Sequence, residues 1–341
     1  MAHAAPRAFI TGCAGTRLSV EEEDFLLDAS PWGLILFRRN VEEPAQVAEL
    51  VRAFRVLVGR PDAPVLIDQE GGRVQRLGPP HWPKYPPAEV FARLAETEGE
   101  TRGAAAARLG ARLMAEDLAS LGINVDCVPC ADLRLPEGHG IIGDRAYGDA
   151  PAPVAALARA AAEGLIEGGV LPVLKHIPGH GRARADSHES LPVVDTPRAL
   201  LEATDFEPFR LLADLPLGMT AHVIYSAIDP DRPATTSKRV IDEIIRGHIG
   251  FDGALMSDDL SMGALAGSLA SRAEAAFAAG CDLALHCNGR LDEMREVASS
   301  SPRLEGDAAR RCAAALARLA PATRIEQAQA RARFSDMIAA S

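Results

Sequence analysis

The stretch LPVLKHIPGHGRARADSHESLP, residues 171–192, opens as an apolar run of strand type and stops at a charged pair, Lys175-His176. Pro178 and Gly179 follow at once and forbid a continuing helix, so a polar loop with His180, Arg182, Arg184, Asp186, His188 and Glu189 takes over. A buried strand that hands over to a long functional loop is the signature of a strand's C-terminal end in a parallel α/β sheet. The same pattern recurs along the chain. Apolar runs lie at 8–13, 33–37, 64–67, 123–130, 170–174, 217–221, 254–257 and 283–287, which makes eight. Between them fall helical stretches at 101–120, 153–167, 198–212, 238–248 and 268–279. In the first, Leu109, Leu113, Met114, Leu118 and Leu121 share one apolar stripe. Eight β/α units predict a closed (β/α)8 barrel of the TIM type rather than an open doubly wound sheet. No G-x-G-x-x-G follows an early strand, which removes the dinucleotide-binding alternative. No linker divides the chain, so residues 1–341 are expected to form a single catalytic domain. Its barrel core covers about 8–300, and two extra helices over 302–341 pack on the barrel wall.

The formal net charge of −11 with no basic run longer than Arg38-Arg39 argues against nucleic acid or an anionic membrane as partner. Six cysteines in 341 residues are too few for a disulfide scaffold and sit mostly in apolar runs, which fits a reducing cytoplasm. Cys127 and Cys130 have redox-dithiol spacing but lie within a strand, not at a helix start. Ile10-Thr11-Gly12-Cys13 resembles a lipoprotein box, yet no charged and apolar leader precedes it, and no run is long enough to span a membrane.

Seven of the eight runs end in polar side chains: Arg38-Arg39-Asn40, Asp68-Gln69-Glu70, Asp132, Lys175-His176, His222, Asp258-Asp259 and Asn288. Each alone reads equally well as the place where water begins, but together on one rim they read as a polar pocket. Within it, Asp186 two residues before His188 can orient the imidazole as a general acid/base, and Asp258 at a strand end can attack an electrophilic carbon. Asp259 also reads as a cap for the next helix. Three histidines, His176, His180 and His188, raise the alternative of a metal-dependent barrel hydrolase. Pro178-Gly179 breaks the helix that an H-x-x-x-H site requires, and no metal or other cofactor is expected.

The stretches LILFRRN (34–40), VLIDQEGGRVQRL (65–77), GIIGDRAYG (140–148), LKHIPGHGRARADSH (174–188), TAHVIY (220–225) and MSDDLSM (256–262), in this order, resemble the bacterial β-N-acetylglucosaminidases of glycoside hydrolase family 3. The resemblance implies a single-domain, retaining exo-enzyme that releases terminal β-linked N-acetylglucosamine through a covalent glycosyl-enzyme. Asp258 is then the nucleophile, His188 the acid/base and Asp186 its orienting partner. Asp68, Arg145, Lys175 and His176 bind the sugar, with His222 and Asn288 as neighbours. It further implies a cytoplasmic enzyme of peptidoglycan recycling acting on (anhydro)muropeptides, whose carboxylates Arg145, Lys175 and the loop arginines would offset; the sequence does not fix the oligomeric state, for which a monomer is favoured. Ile177 stands where an aromatic is common in the family, and Cys130-Ala131 replaces an aliphatic pair before Asp132. A substrate-assisted β-hexosaminidase using Asp258 and Asp259 keeps the substrate and changes the mechanism.

Overall fold

The structure is a computed structural model describing residues 5–187 and 189–339. Eight parallel strands close into a barrel: β1 (Arg7–Thr11), β2 (Pro31–Leu36), β3 (Val65–Ile67), β4 (Val125–Asp126), β5 (Leu171–Ile177), β6 (Leu217–Thr220), β7 (Ala254–Asp259) and β8 (Leu283–His286). Each strand pairs with its sequence neighbours, and β8 returns to β1 with Phe9 opposite Ala284 and Thr11 opposite His286. All eight apolar runs therefore become barrel strands.

Strand alternation sorts the side chains into two layers. Ile10, Trp32, Leu66, Val125, Leu171, Val173, Leu217, Ala254, Met256 and Leu283 pack together inside the barrel. Phe9, Leu34, Val65, Ile67 and Leu174 belong to the outer core beneath the helices. Two residues on, the inward-facing series reaches the C-terminal rim. Leu66 is followed by Asp68, Val173 by Lys175 and Met256 by Asp258, so the pleat that buries the core also aims these three polar groups at one cavity. The β5–β6 register slips between Lys175 and Ile177, so His176 breaks the alternation and lines the cavity beside Lys175.

The helices Glu100–Ala119 and Pro151–Glu167 pack so closely that a Cβ on Gly164 would collide with the Arg108 carbonyl oxygen. Three regions depart from the sequence expectation. The helix over 198–212 is two short ones, Arg198–Ala203 and Glu207–Leu211. Pro208 has no N–H to offer the Thr204 carbonyl, and the Thr204 hydroxyl instead bonds Leu200 O and Asp205 Oδ2, both at 2.7 Å. The segment Val240–His248 winds as a π-helix, for which nothing in the local sequence accounts. Of the C-terminal helices, Gly306–Leu316 does not lie on the barrel wall: Cys312 and Ala315, with Leu304, join the interior cluster. This places the helix at the N-terminal mouth, where Leu304 N donates to Pro6 O. Gln327–Ile338 packs outside, with Phe334 near Tyr85 and Phe91. No helix among the described residues is long and apolar enough to cross a membrane.

Candidate active site

At the C-terminal rim lies a cavity of about 190 Å³ lined by Asp68, Arg76, Arg145, Lys175, His176, Asp258 and Asp259, among others. Lys175 is 2% exposed. Its Nζ lies 2.9 Å from Asp68 Oδ1 and 2.7 Å from Glu70 Oε1. Arg145 grips Glu70 with two hydrogen bonds of 2.8 Å, from Nε and Nη2, and Arg76 Nη2 meets Asp68 Oδ2 at 3.0 Å. Burial pushes both carboxyls up, but Lys175 and Arg76 hold Asp68 well below the usual range. Arg145 and Lys175 bring Glu70 down to about 2. Both are therefore carboxylates at neutral pH, and Glu70 cannot serve as a general acid. Each cation is already met by a carboxylate, so Arg145 and Lys175 have little charge to spare for acidic groups on a ligand. Arg182, too, is engaged elsewhere, with Glu137 and Asp205.

Asp258 differs from these. Its Oδ1 accepts the Asp259 N–H at 2.8 Å. Burial raises its pKa, but the nearby imidazoles of His176 and His222, that N–H and Lys175 outweigh it, and the pKa falls below the ordinary value. The result is an ionised carboxylate facing the cavity. Asp259 is committed otherwise: Oδ1 accepts from Ser261 N (3.0 Å) and Cys287 N (3.2 Å), and Oδ2 from the Ser261 hydroxyl (2.7 Å). It closes the turn after β7 and ties it to β8.

Asp132, fully buried, accepts His176 Nδ1–H at 2.6 Å through Oδ2 and the His180 N–H at 2.6 Å through Oδ1. Burial raises this carboxyl, but His176 and His180 prevail and lower it to about 2. The pairing fixes the His176 tautomer and leaves Nε2 as the ring's other polar atom. Cys130 Sγ also contacts Asp132 Oδ2, at 3.3 Å. Cys130, Asp132 and His176 are the group with metal-ligand geometry among the described residues; of the three histidines the sequence offered, His188 lies outside those residues. Here they form a hydrogen-bonded network. All six cysteines are free and buried, including Cys127 and Cys130.

His222 and Asn288 do not line the cavity. His222 is buried, with Nε2 3.0 Å from Asp259 O and Nδ1 2.7 Å from the Thr235 hydroxyl, so it supports the backbone next to Asp258. Asn288 turns to Glu293 and to Arg290 N. His188 lies outside the described residues. Asp186 does not: its carbonyl accepts from Glu189 N and Ser190 N, both at 3.0 Å.

Sequence reasoning missed Arg76 and Phe37. The strands Gln69–Gly71 and Val74–Gln75 form a hairpin that folds Arg76 back onto Asp68. Gly71 and Gly72, both at positive φ, make the turn, a signal readable in EGGRVQ. Phe37, at the cavity wall, has the guanidinium groups of Arg39 and Arg76 over its ring, 4.9 and 5.2 Å from its centre.

A closed parallel barrel whose cavity sits at the C-terminal rim, with Asp258 and Asp259 left out of the ion pairs among the described residues and only Asp258 free of the Ser261 hydroxyl and amide, has the site geometry of a (β/α)8-barrel enzyme. Residues 9–319 match the family described as Glycosyl hydrolase family 3 N terminal domain, and the chain belongs to that family of glycoside hydrolases. It is 43% identical over 284 residues to a β-hexosaminidase of Alkalilimnicola ehrlichii, covering 81% of this chain and 79% of that protein. A β-hexosaminidase of Pseudomonas aeruginosa is 40% identical over 282 residues, 81% of each chain. NagZ from Neisseria gonorrhoeae, solved in complex with N-trifluoroacetyl-D-glucosamine, is 33% identical with a TM-score of 0.85, covering 99% of this chain and 98% of that one.

Proposed function

We propose that this glycoside hydrolase is a retaining exo-β-N-acetylhexosaminidase that releases terminal β-linked N-acetylglucosamine, with Asp258 as nucleophile and His188, oriented by Asp186, as acid/base. The observation that carries the reading is the contrast between carboxylates. Asp68 and Glu70 are locked to cations and Asp259 is committed to its turn, while Asp258 is ionised and faces the cavity. In the first step Asp258 Oδ2, the oxygen without the Asp259 hydrogen bond, attacks the anomeric carbon. The glycosidic C–O bond breaks, and the leaving oxygen takes the proton of protonated His188. In the second, neutral His188 removes a proton from water, whose oxygen displaces Asp258 with a second inversion and so with net retention. Asp68, Glu70, Lys175, Arg145 and His176 offer acceptors and donors to the sugar hydroxyls.

A histidine acid is favoured because the cavity carboxyls Asp68 and Asp258, and neighbouring Glu70, are all held in their ionised forms. The engaged carboxylate of Asp259 weighs against the substrate-assisted route, which needs it for the acetamido group. The N-acyl glucosamine in the gonococcal NagZ complex supports the same glycone here. The natural substrate in this reading is a muropeptide of cell-wall recycling, met in the cytoplasm by a chain that acts as one domain without a cofactor. The test is incubation with a slow fluorinated N-acetylglucosaminide, followed by peptide mass mapping. A sugar adduct on Asp258 is expected, and turnover without an adduct, or an adduct on another residue, refutes the mechanism. Aryl β-glycosides of glucose turned over as well as those of N-acetylglucosamine would refute the substrate.

A further inference from the structure

The loop that follows β5 is held in two separate places. Its stem is pinned by the Tyr225 hydroxyl on Gly179 O (2.5 Å), by Arg182 Nε on Asp205 Oδ2 (2.7 Å) and by His139 N on Ala183 O (2.7 Å). Beyond Ala183 a second attachment appears at Ser187, the residue between Asp186 and His188. Its hydroxyl lies 3.1 Å from His180 Nε2, and its carbonyl accepts Ala264 N–H at 3.2 Å from the segment that follows β7. Ser187 and His180 are each only 3% exposed, although both belong to a polar surface loop.

His180 has no part in the proposed reaction, yet its chemistry is constrained. Burial and the neighbouring His176 lower its pKa to about 4, so it is neutral near pH 7, with one donor and one acceptor nitrogen. Among the described residues, Nδ1 is buried without a hydrogen-bond partner. An orphaned acceptor costs less than an orphaned N–H, which assigns the proton to Nε2 and makes His180 the donor to Ser187 Oγ. The backbone of His180 is in turn anchored on Asp132, which also orients His176. One rigid unit therefore holds both a cavity histidine and the tip of the loop.

We propose that His180 and Ser187 are positioning residues, a latch that anchors the loop immediately before His188 and so sets how often the proton shuttle is in reach of the glycosidic oxygen. The proposal rests on His188 being that shuttle. A latch of this kind acts on kcat for substrates that need the proton and leaves sugar affinity alone, because neither residue is among those lining the cavity.

The experiment compares Ser187→Ala, His180→Ala, His180→Gln and the double alanine variant with wild type. An alkyl and an activated aryl β-N-acetylglucosaminide serve as substrates, and thermal unfolding checks the fold. Each alanine variant is expected to lower kcat on the alkyl glycoside by roughly tenfold, the worth of one ordinary hydrogen bond, with KM unchanged. The double variant should lose no more than the worse single one, since both break the same contact. His180→Gln, whose amide N–H reaches about where Nε2 does, should recover most of the rate. Single variants within twofold of wild type, losses that multiply in the double variant, or equal loss in His180→Gln and His180→Ala would overturn the latch. His188→Ala in the same assay separates the premise: if it leaves the alkyl rate intact, the shuttle assignment fails, whatever the latch variants do.

Discussion

Lys175→Met removes the cation that bridges Asp68 and Glu70 and keeps an apolar stem of similar length. Glu70 sits at about 2 in the fold against roughly 4.3 in an unfolded chain, a difference worth about 3 kcal/mol of stability at neutral pH. Only part of this belongs to Lys175, because Arg145 keeps its two bonds to Glu70. Asp68 loses its leading favourable partner and keeps Arg76. Breaking a buried pair costs about 3–5 kcal/mol, and the surviving arginines put this loss near the lower figure. Both carboxyls are depressed in the fold, so their contribution is complete above the unfolded values near 4 and is lost as pH falls toward 2. The variant has less of it to lose. The stability gap between wild type and variant is therefore constant from pH 7 to about 5 and narrows on further acidification. Urea unfolding followed by tryptophan fluorescence reports both quantities, since Trp32 lies inside the barrel. Equal midpoints at pH 7, or a gap that widens in acid, would refute the ion-pair reasoning.

Asp258→Ala should lower kcat/KM on every substrate by more than about a hundredfold, and retention of a tenth of the activity would move the nucleophile elsewhere. His188→Ala should give a burst of phenol with an activated aryl glycoside and a slow steady state that azide accelerates; equal loss in both steps, with no azide effect, would make the histidine a binding residue. Gly164→Ala gains roughly 0.5–1 kcal/mol of helix propensity, but its Cβ meets the Arg108 carbonyl, a backbone atom that cannot swing away. A net loss of about 1–2 kcal/mol in thermal unfolding is expected, and a stabilised variant would show that the two helices can part without cost.

The eight strands were readable because pleating writes itself locally, as a few apolar residues and an abrupt polar end. The motifs from 34 to 262 carried the family, and the placing of Asp258 at the cavity was legible for the same reason: a strand end fixes where its next side chain points. Which polar groups would meet was another matter. Asp68 and Lys175 are 107 residues apart, and only barrel closure and register bring them to 2.9 Å. The same closure spends Arg145 on Glu70, which the chain alone could offer only as a free cation. Asp132 was one strand end among seven, and its hold on both His176 and His180 depends on β4 and β5 lying side by side. Asn288 shared that strand-end signal and was turned away by Glu293 on the next helix. Local pattern thus determined the barrel, its polar rim and the candidate nucleophile. The tertiary structure alone decided the ion pairs, the tautomers and the docking of Ser187 on His180, because those energies depend on groups that only folding makes neighbours.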